Sequence, residues 1–117
     1  MPIRSINRSA ADSVAFKAGQ TIFDVGEEAE MMYIVVEGEV EIQLNGRVLQ
    51  TVEAQDVFGE MALVDNSARS ARAVAKTDCQ LAGIDKERFL VLVEKNPDFA
   101  LEVMQIMAER LRRKTEA

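Results

Sequence analysis

Two charged side chains, Glu60 and Arg69, lie nine residues apart in a segment that runs from Phe58 to Ala71. A guanidinium presents a planar fork of N–H donors that suits a phosphate, and a carboxylate is an acceptor that suits a hydroxyl. A small ligand that carries one phosphate and one sugar hydroxyl would therefore engage both side chains. The alternative is a surface loop with two unrelated charges, because charged residues are common in loops.

The residues around Glu60 would bring main-chain groups to the same place. Gly59 has no Cβ, so the backbone can come close to a ligand at this position. Met61, Ala62 and Leu63 are predicted to form one short helical turn. Its first N–H groups would have no intrahelical partner and could face an anion.

The composition limits the classes of function. The 117 residues include no histidine, which excludes His-ligated metal sites and Ser-His or Cys-His catalysis, so we predict neither catalytic nor metal-binding residues. Cys79 is the only cysteine, so no internal disulfide can form and a cytoplasmic location is the default expectation. The sequence shows no apolar run long enough to span a membrane and no hydrophobic signal core at its N-terminus, so membrane insertion and secretion are not expected. A net charge of −6 argues against direct binding of nucleic acid.

The length predicts a single domain, residues 1–117, with one core. Residues 1–12 are interpreted as a frayed helix. Short strands separated by turn residues follow, and this spacing predicts a β-sandwich or barrel. The strongest hairpin signal is Asn45-Gly46, because both positions of a type I′ turn need a positive φ. The predicted β segments are Thr21–Phe23, Met31–Glu37, Val40–Leu44, Arg47–Val52, Arg69–Thr77 and Cys79–Ile84.

The β segment that begins at Arg69 places this arginine on one face with Ala71, Ala73 and Ala75. If that face points into the barrel, the three small side chains leave room beside the arginine, as a pocket would require. The alternative is that the alanines pack tightly against a neighbouring element.

Two helices are predicted to complete the chain. Asp85 can cap the first, Lys86–Lys95. Asn96-Pro97 is an N-cap followed by proline at the first helical position, which starts the second helix, predicted over residues 97–116. The basic residues in its last turns, Arg110 and Arg112–Lys114, are interpreted as favoured by the helix dipole.

The second helix carries two stripes of residues at helical spacing. One contains Phe99, Val103, Ile106 and Arg110, and the other contains Leu101, Met104, Ala108 and Leu111. One stripe could lie on the barrel while the other packs on a second subunit, which predicts a homodimer through this helix. The alternative is a monomer in which both stripes lie on its own barrel.

The chain resembles cyclic nucleotide-binding domains, the family that includes bacterial catabolite activator proteins, regulatory subunits of protein kinase A and cyclic nucleotide-gated channels. The segments that carry the likeness are Phe58–Leu63 with Arg69-Ser70-Ala71, similar to the family's phosphate-binding cassette, and Phe16–Phe23 and Met32–Val40, similar to its first strands and central hairpin. The likeness covers about residue 16 to about residue 111. Ala68 departs from it, because the family often carries proline before the arginine.

The resemblance implies a double-stranded β-helix, or jelly-roll barrel, with a short cassette helix and two C-terminal helices. It implies that Glu60 accepts the ribose 2′-hydroxyl and that Arg69 neutralises the cyclic phosphate. The Ser70 hydroxyl and nearby N–H groups would complete the phosphate cradle. These roles are binding roles, so the protein is expected not to be an enzyme, and its ligand is expected to be cAMP or cGMP, with cAMP favoured. The implied ligand-binding residues are Gly59, Glu60, Met61, Ala62, Arg69, Ser70 and Ala71.

The resemblance also implies a regulatory module in which ligand binding repacks the final helices, because cassette residues such as Leu63 contact them. Six residues follow Leu111, so the effector is expected to be a separate protein, or another part of a larger protein from which this chain is cut. Two alternatives stay open. One is a domain of the same fold that serves assembly and binds no nucleotide. The other is a cupin-type enzyme or sugar-binding protein, although cupin enzymes commonly use histidine metal ligands.

Overall fold

The computed structural model describes residue 3, residues 13–65 and residues 67–115, without the side chains of residues 114 and 115. The helix predicted within residues 1–12 therefore lies outside the described residues, except for Ile3. The elements are β1 (Val14–Phe16), β2 (Thr21–Phe23), β3 (Met31–Glu37), β4 (Val40–Leu44), β5 (Arg47–Val52), β6 (Val57–Phe58), a 3₁₀ turn (Glu60–Leu63), β7 (Arg72–Ala75), β8 (Cys79–Asp85), α1 (Lys86–Lys95) and α2 (Asp98–Thr115). Among these described residues, no helix is both long and apolar enough to cross a membrane.

The strands form two four-stranded sheets, in the orders β1-β8-β3-β6 and β2-β7-β4-β5. All of the described pairings are antiparallel. The chain moves repeatedly from one sheet to the other, so most strands that are adjacent in sequence, such as β1 and β2 or β3 and β4, belong to different sheets, and β4 and β5 are the exception. The structure confirms the predicted mainly β class with helices after the strands.

The hairpin between β4 and β5 turns at Asn45-Gly46, where φ is 52° and 77°. Both values are positive, as the type I′ prediction requires. Further along this hairpin Ile42 faces Gln50, but Gln43 faces Val48, so one residue of β5 is left unpaired. Such a bulge redirects the side chains next to it.

The buried apolar residues form two clusters, one on each face of the sheet that contains β3. The first lies under the helices and contains Ile3, Met32, Ile34, Val57, Leu63, Ile84, Phe99, Val103 and Ile106. The second lies between the sheets and contains Phe23, Val35, Val40, Val52, Phe58, Ala73, Ala75, Cys79 and Leu81. Alternation along β3 supplies both clusters, because successive side chains of a strand point to opposite faces.

The members of the two clusters test two interpretations of the sequence, one about the alanine face that follows Arg69 and one about the first stripe of α2. Ala73 and Ala75 are 0% and 1% exposed and belong to the core between the sheets, as in the packing alternative, whereas Ala71 is half-buried. The stripe of α2 that begins at Phe99 and continues through Val103 and Ile106 is buried, which confirms that this face lies on the barrel.

The first helix begins where it was predicted to begin. The Asp85 side chain accepts a hydrogen bond from the Arg88 N–H at 2.7 Å, which caps the helix. α2 begins at Asp98, one residue after the predicted start at residue 97, because Pro97 belongs to the turn in which the Phe99 N–H donates to the Asn96 carbonyl at 2.9 Å. The predicted end at residue 116 lies outside the described residues.

Candidate ligand-binding site

The backbone of Arg69 is fixed by the turn that follows β2. Its N–H donates to the Glu27 carbonyl and its carbonyl accepts from the Gly26 N–H, both at 2.9 Å. The arginine therefore lies in a loop, three residues before β7 begins at Arg72. The strand predicted from Arg69 is too long at this end, because these hydrogen bonds tie the residue to a turn and not to a neighbouring strand.

The Arg69 side chain is buried, with only 9% of the residue exposed. Its guanidinium carbon lies 3.9 Å from the centroid of the Phe23 ring. Nη1 donates to the Gly59 carbonyl at 3.2 Å, and Nη2 donates to the Met31 carbonyl at 2.6 Å. Nε is buried and has no hydrogen-bond partner.

The charge of this guanidinium has no close counter-ion among the residues that the structure describes. Within the described part of the chain, no carboxylate forms an ion pair with Arg69. Burial lowers the pKa of Arg69, and Tyr33, Glu27 and Glu60 oppose that shift electrostatically. An arginine remains a cation at neutral pH even so. Buried charges are normally paired, so a buried cation with an unused donor favours the binding of an anion.

An aromatic platform of three rings supports this cation. Phe23, Tyr33 and Phe58 come from β2, β3 and β6, and their ring centroids are 5.3 to 6.3 Å apart. The guanidinium lies over the Phe23 ring in a cation–π contact, which orients its plane. Sequence reasoning missed the platform, because the three rings belong to strands of different sheets.

Gly59 makes room for the arginine. Its φ is 74°, in the left-handed region that favours glycine, and a Cβ at this position would lie 2.8 Å from Nη1 of Arg69. The prediction for Gly59 was a close approach of its backbone to a ligand. In the structure, this backbone also lies close to the side chain of Arg69.

The residues after Gly59 form the predicted turn, which is a 3₁₀ turn from Glu60 to Leu63. Leu63 is buried under the helices, whereas Met61 is 54% exposed. The Ala62 N–H donates to the Gly59 carbonyl at 3.2 Å, so this member of the predicted cradle is already bonded within the turn. On the far side of Arg69, Ser70 is exposed and Ala71 is half-buried.

The Glu60 carboxylate is held by an arginine from the last helix. Its Oε1 accepts from Nη1 of Arg110 at 2.9 Å. Nη2 of the same guanidinium donates to Oδ1 of Asp56 at 3.1 Å and to the Val57 carbonyl. The Arg110 and Glu60 side chains are only 15% and 14% exposed, so this ion pair is shielded from solvent.

Sequence reasoning did not assign Arg110 to the site, since its position near the helix end was explained by the helix dipole. The signal was nevertheless present in the first stripe, because Arg110 follows Ile106 by four residues on the face that lies on the barrel. A charge that continues a buried stripe needs a partner on the surface that the stripe covers.

The sequence of this chain matches a known domain family and several known proteins. The profile of the cyclic nucleotide-binding domain matches residues 13–96. The cyclic AMP receptor protein of Thermus thermophilus is 34% identical over 102 residues, which cover 83% of this chain and 47% of that protein. The chain thus spans about half the length of the curated relatives that it matches.

Solved structures have the same fold. The crystal structure of the Thermus thermophilus catabolite activator protein matches with a TM-score of 0.76 and 31% identity, over 91% of this chain and 53% of that one. The EAL enzyme Bd1971 in its half-site-occupied form matches with a TM-score of 0.67 and 34% identity, over 88% and 96%. Bd1971 has also been solved in cAMP-bound and cGMP-bound forms. The comparisons confirm the predicted jelly-roll class.

Proposed function

Because this chain belongs to the cyclic nucleotide-binding domain family, we propose that it binds a 3′,5′-cyclic nucleotide between Arg69 and Glu60 as a regulatory module. The observation that carries the proposal is the buried Arg69 guanidinium, which has an unused Nε and no ion-pair partner among the described residues. A cyclic phosphate would supply the missing negative charge and the missing acceptor.

The two charged residues take different parts of the ligand. Arg69 binds the phosphate, assisted by the Ser70 hydroxyl and by N–H groups near Met61 and Ala71, with Ala62 joining them only if it gives up its bond to Gly59. Glu60 accepts the ribose 2′-hydroxyl. Its Oε1 already accepts from a guanidinium, which leaves Oε2 for the sugar. The proposed roles are binding roles, and no bond is made or broken.

The expected affinity suits a signalling ligand. A cyclic mononucleotide has about 22 non-hydrogen atoms, and roughly 0.3 kcal/mol for each gives a binding free energy of about −6.6 kcal/mol. This value corresponds to a dissociation constant on the order of 10 μM. We propose cAMP as the preferred ligand on the likeness to the Thermus cyclic AMP receptor protein, while the cAMP-bound and cGMP-bound forms of Bd1971 make cGMP the comparison to measure.

We further propose that ligand binding repacks the C-terminal helices. Among the described residues, the site is linked to α2 both by apolar packing and by an ion pair. Leu63 of the 3₁₀ turn packs in the same apolar cluster as Phe99 and Val103, and Glu60 is paired with Arg110. A ligand whose phosphate pulls Glu60 and the 3₁₀ turn toward it must strain both contacts. Repacking then requires that the ligand bind the two helix arrangements with different affinity.

Calorimetric titration of the wild type and Glu60→Ala tests the site. The wild type should bind cAMP near the affinity given above, and Glu60→Ala should bind it at least about tenfold more weakly, because a hydrogen bond to a charged group contributes about 1.5–3 kcal/mol. Both proteins should bind 2′-deoxy-cAMP about equally. Lack of binding by the wild type at millimolar cAMP and cGMP would reject the proposal and favour the assembly domain of the same fold.

The outward stripe of α2 supports a homodimer as the assembled form. Leu101, Met104 and Leu111 are 57%, 55% and 68% exposed. An apolar face with this exposure favours contact with another apolar surface. Met104→Glu should therefore halve the mass measured by sedimentation equilibrium, while Gln105→Glu on the neighbouring exposed position should leave it unchanged. A wild type that sediments as a monomer would contradict this assembly without affecting the ligand site.

A further inference from the structure

Gln50 of β5 contacts the same guanidinium that holds Glu60. One terminal atom of its carboxamide lies 2.7 Å from Nε and 3.2 Å from Nη2 of Arg110. Both arginine nitrogens are donors and have no acceptor capacity. The atom that faces them is therefore the carboxamide oxygen, since an NH₂ group at this place would oppose donor to donor.

The fold explains how a polar side chain of β5 reaches this place. Gln50 faces Ile42 across the hairpin, so both side chains lie on the same face of the sheet, and Ile42 packs against the core between the sheets. Leu49, the residue left unpaired by the bulge, is 58% exposed. Gln50 is half-buried on the inner side, where a polar group needs a partner, and Arg110 supplies it.

With this contact, all three nitrogens of the Arg110 guanidinium are engaged. Nη1 binds Glu60, Nη2 binds Asp56 and the Val57 carbonyl, and Nε binds Gln50. The Gln50 contact differs from the others because it is made at Nε, where the guanidinium joins the rest of the Arg110 side chain. An acceptor at Nε fixes the rotation of the guanidinium plane, and this rotation decides whether Nη1 points at Oε1 of Glu60.

The neutrality of Gln50 matters as well. Asp56 and Glu60 already place two negative charges around the single positive charge of Arg110. A third carboxylate would compete with Glu60 for the guanidinium, whereas a carboxamide oxygen accepts the Nε hydrogen bond without adding charge.

We propose that Gln50 is a positioning residue: by orienting the Arg110 guanidinium it fixes the Glu60 carboxylate, and it thereby sets the selectivity of the site for a ligand that carries a sugar 2′-hydroxyl. The inference rests on the proposed function and deepens it. Gln50 acts through Arg110 and makes its contribution to sugar recognition without touching the phosphate residue Arg69.

The test is the ratio of the dissociation constants of 2′-deoxy-cAMP and cAMP, measured by calorimetry on the wild type, Gln50→Met and Leu49→Gln. Methionine keeps the length of the side chain and removes the strong acceptor. If misorientation removes about half of a charge-assisted hydrogen bond, Gln50→Met should lower the ratio about three- to tenfold, with the dissociation constant of 2′-deoxy-cAMP unchanged within about twofold. Leu49→Gln, on the outward side of the same strand, should keep the wild-type ratio.

A second measurement isolates the route through the arginine. In an Arg110→Met background, Gln50→Met should produce no further change in the ratio, because the group that it orients is already gone. Thermal unfolding of each variant shows whether the fold is intact.

The outcomes are distinct. A wild type that binds neither nucleotide overturns the proposed function and this inference together. A wild type that prefers cAMP, beside a Gln50→Met variant with the same preference, overturns the inference and leaves the proposed function standing. Equal weakening of both nucleotides by Gln50→Met, with a lowered unfolding temperature, assigns Gln50 a purely structural role and also overturns the inference.

Discussion

Arg69→Met is expected to weaken the binding of cAMP at least about tenfold, because each charge-assisted hydrogen bond to the phosphate contributes about 1.5–3 kcal/mol. Among the described residues, Arg69 is the only polar or charged residue that is buried, with less than a tenth of its surface exposed. Its removal also takes away Nε, the one buried side-chain nitrogen in the described part of the chain that has no hydrogen-bond partner, which is the group that we assign to the phosphate.

The same substitution should change the free energy of unfolding by less than about 1 kcal/mol, because two opposing effects nearly cancel. Methionine relieves the cost of burying an unpaired charge. It also removes the hydrogen bonds that Arg69 donates to the carbonyls of Gly59 and Met31 and its contact with the Phe23 ring. The loss of binding would then be separable from unfolding.

Arg72→Met is the matched control for this experiment. Arg72 is three residues away and exposed, and its Nη2 donates to the Thr21 hydroxyl at 2.7 Å. Calorimetric titration should show wild-type affinity for the control. If Arg69→Met and Arg72→Met bind cAMP equally well, the assignment of Arg69 to the phosphate is wrong.

Arg110→Met should destabilise the domain by about 2–3 kcal/mol, measured by urea unfolding. Removing one partner of a buried ion pair costs about 3–5 kcal/mol, and the partial exposure of Asp56 reduces this figure. Methionine would leave the Asp56 and Glu60 carboxylates without the cation that pairs with both of them. Hydrogen exchange should accelerate mainly in the last turns of α2, since the variant loses the attachment of this end of the helix to the site.

Arg113→Met supplies the comparison on the same helix. Arg113 is 68% exposed on its side chain, and its Nη2 lies 3.9 Å from Glu109 one turn earlier. An exposed pair of this kind contributes about 0.3–0.5 kcal/mol. Similar losses in the two variants would mean that Arg110 serves only the helix itself, as the interpretation from the helix dipole would have it.

The sequence could predict those parts of the fold that depend on neighbouring residues. The bounds of β2, β3, β4 and β5 agree with the prediction, because turn residues such as Asn45-Gly46 interrupt the apolar alternation at each end. The start of α1 was predictable for a similar reason, since Asp85 caps it with its own side chain. The choice of Glu60 and Arg69 came from residue type and spacing, and their proposed roles came from the family resemblance.

The identity of the partners that complete the site was beyond such reasoning, although the first stripe of α2 indicated that Arg110 needs a partner. Arg110 and Glu60 are fifty residues apart in the chain, and their meeting depends on how α2 lies against the sheets. No local pattern encodes that distance. The same holds for Phe23 beneath Arg69, because the ring on β2 and the loop before β7 meet only when these two strands, far apart in the chain, pair within one sheet.

The aromatic platform gives the protein an optical property of its own. The chain contains one tyrosine and no tryptophan, so its intrinsic fluorescence comes from the single ring of Tyr33. That ring is stacked with Phe58 at 5.3 Å and with Phe23, which carries the Arg69 guanidinium. The fluorescence of the unlabelled protein therefore comes from one ring of the aromatic platform. Its emission reports the packing around that ring, next to the Phe23 ring under the arginine.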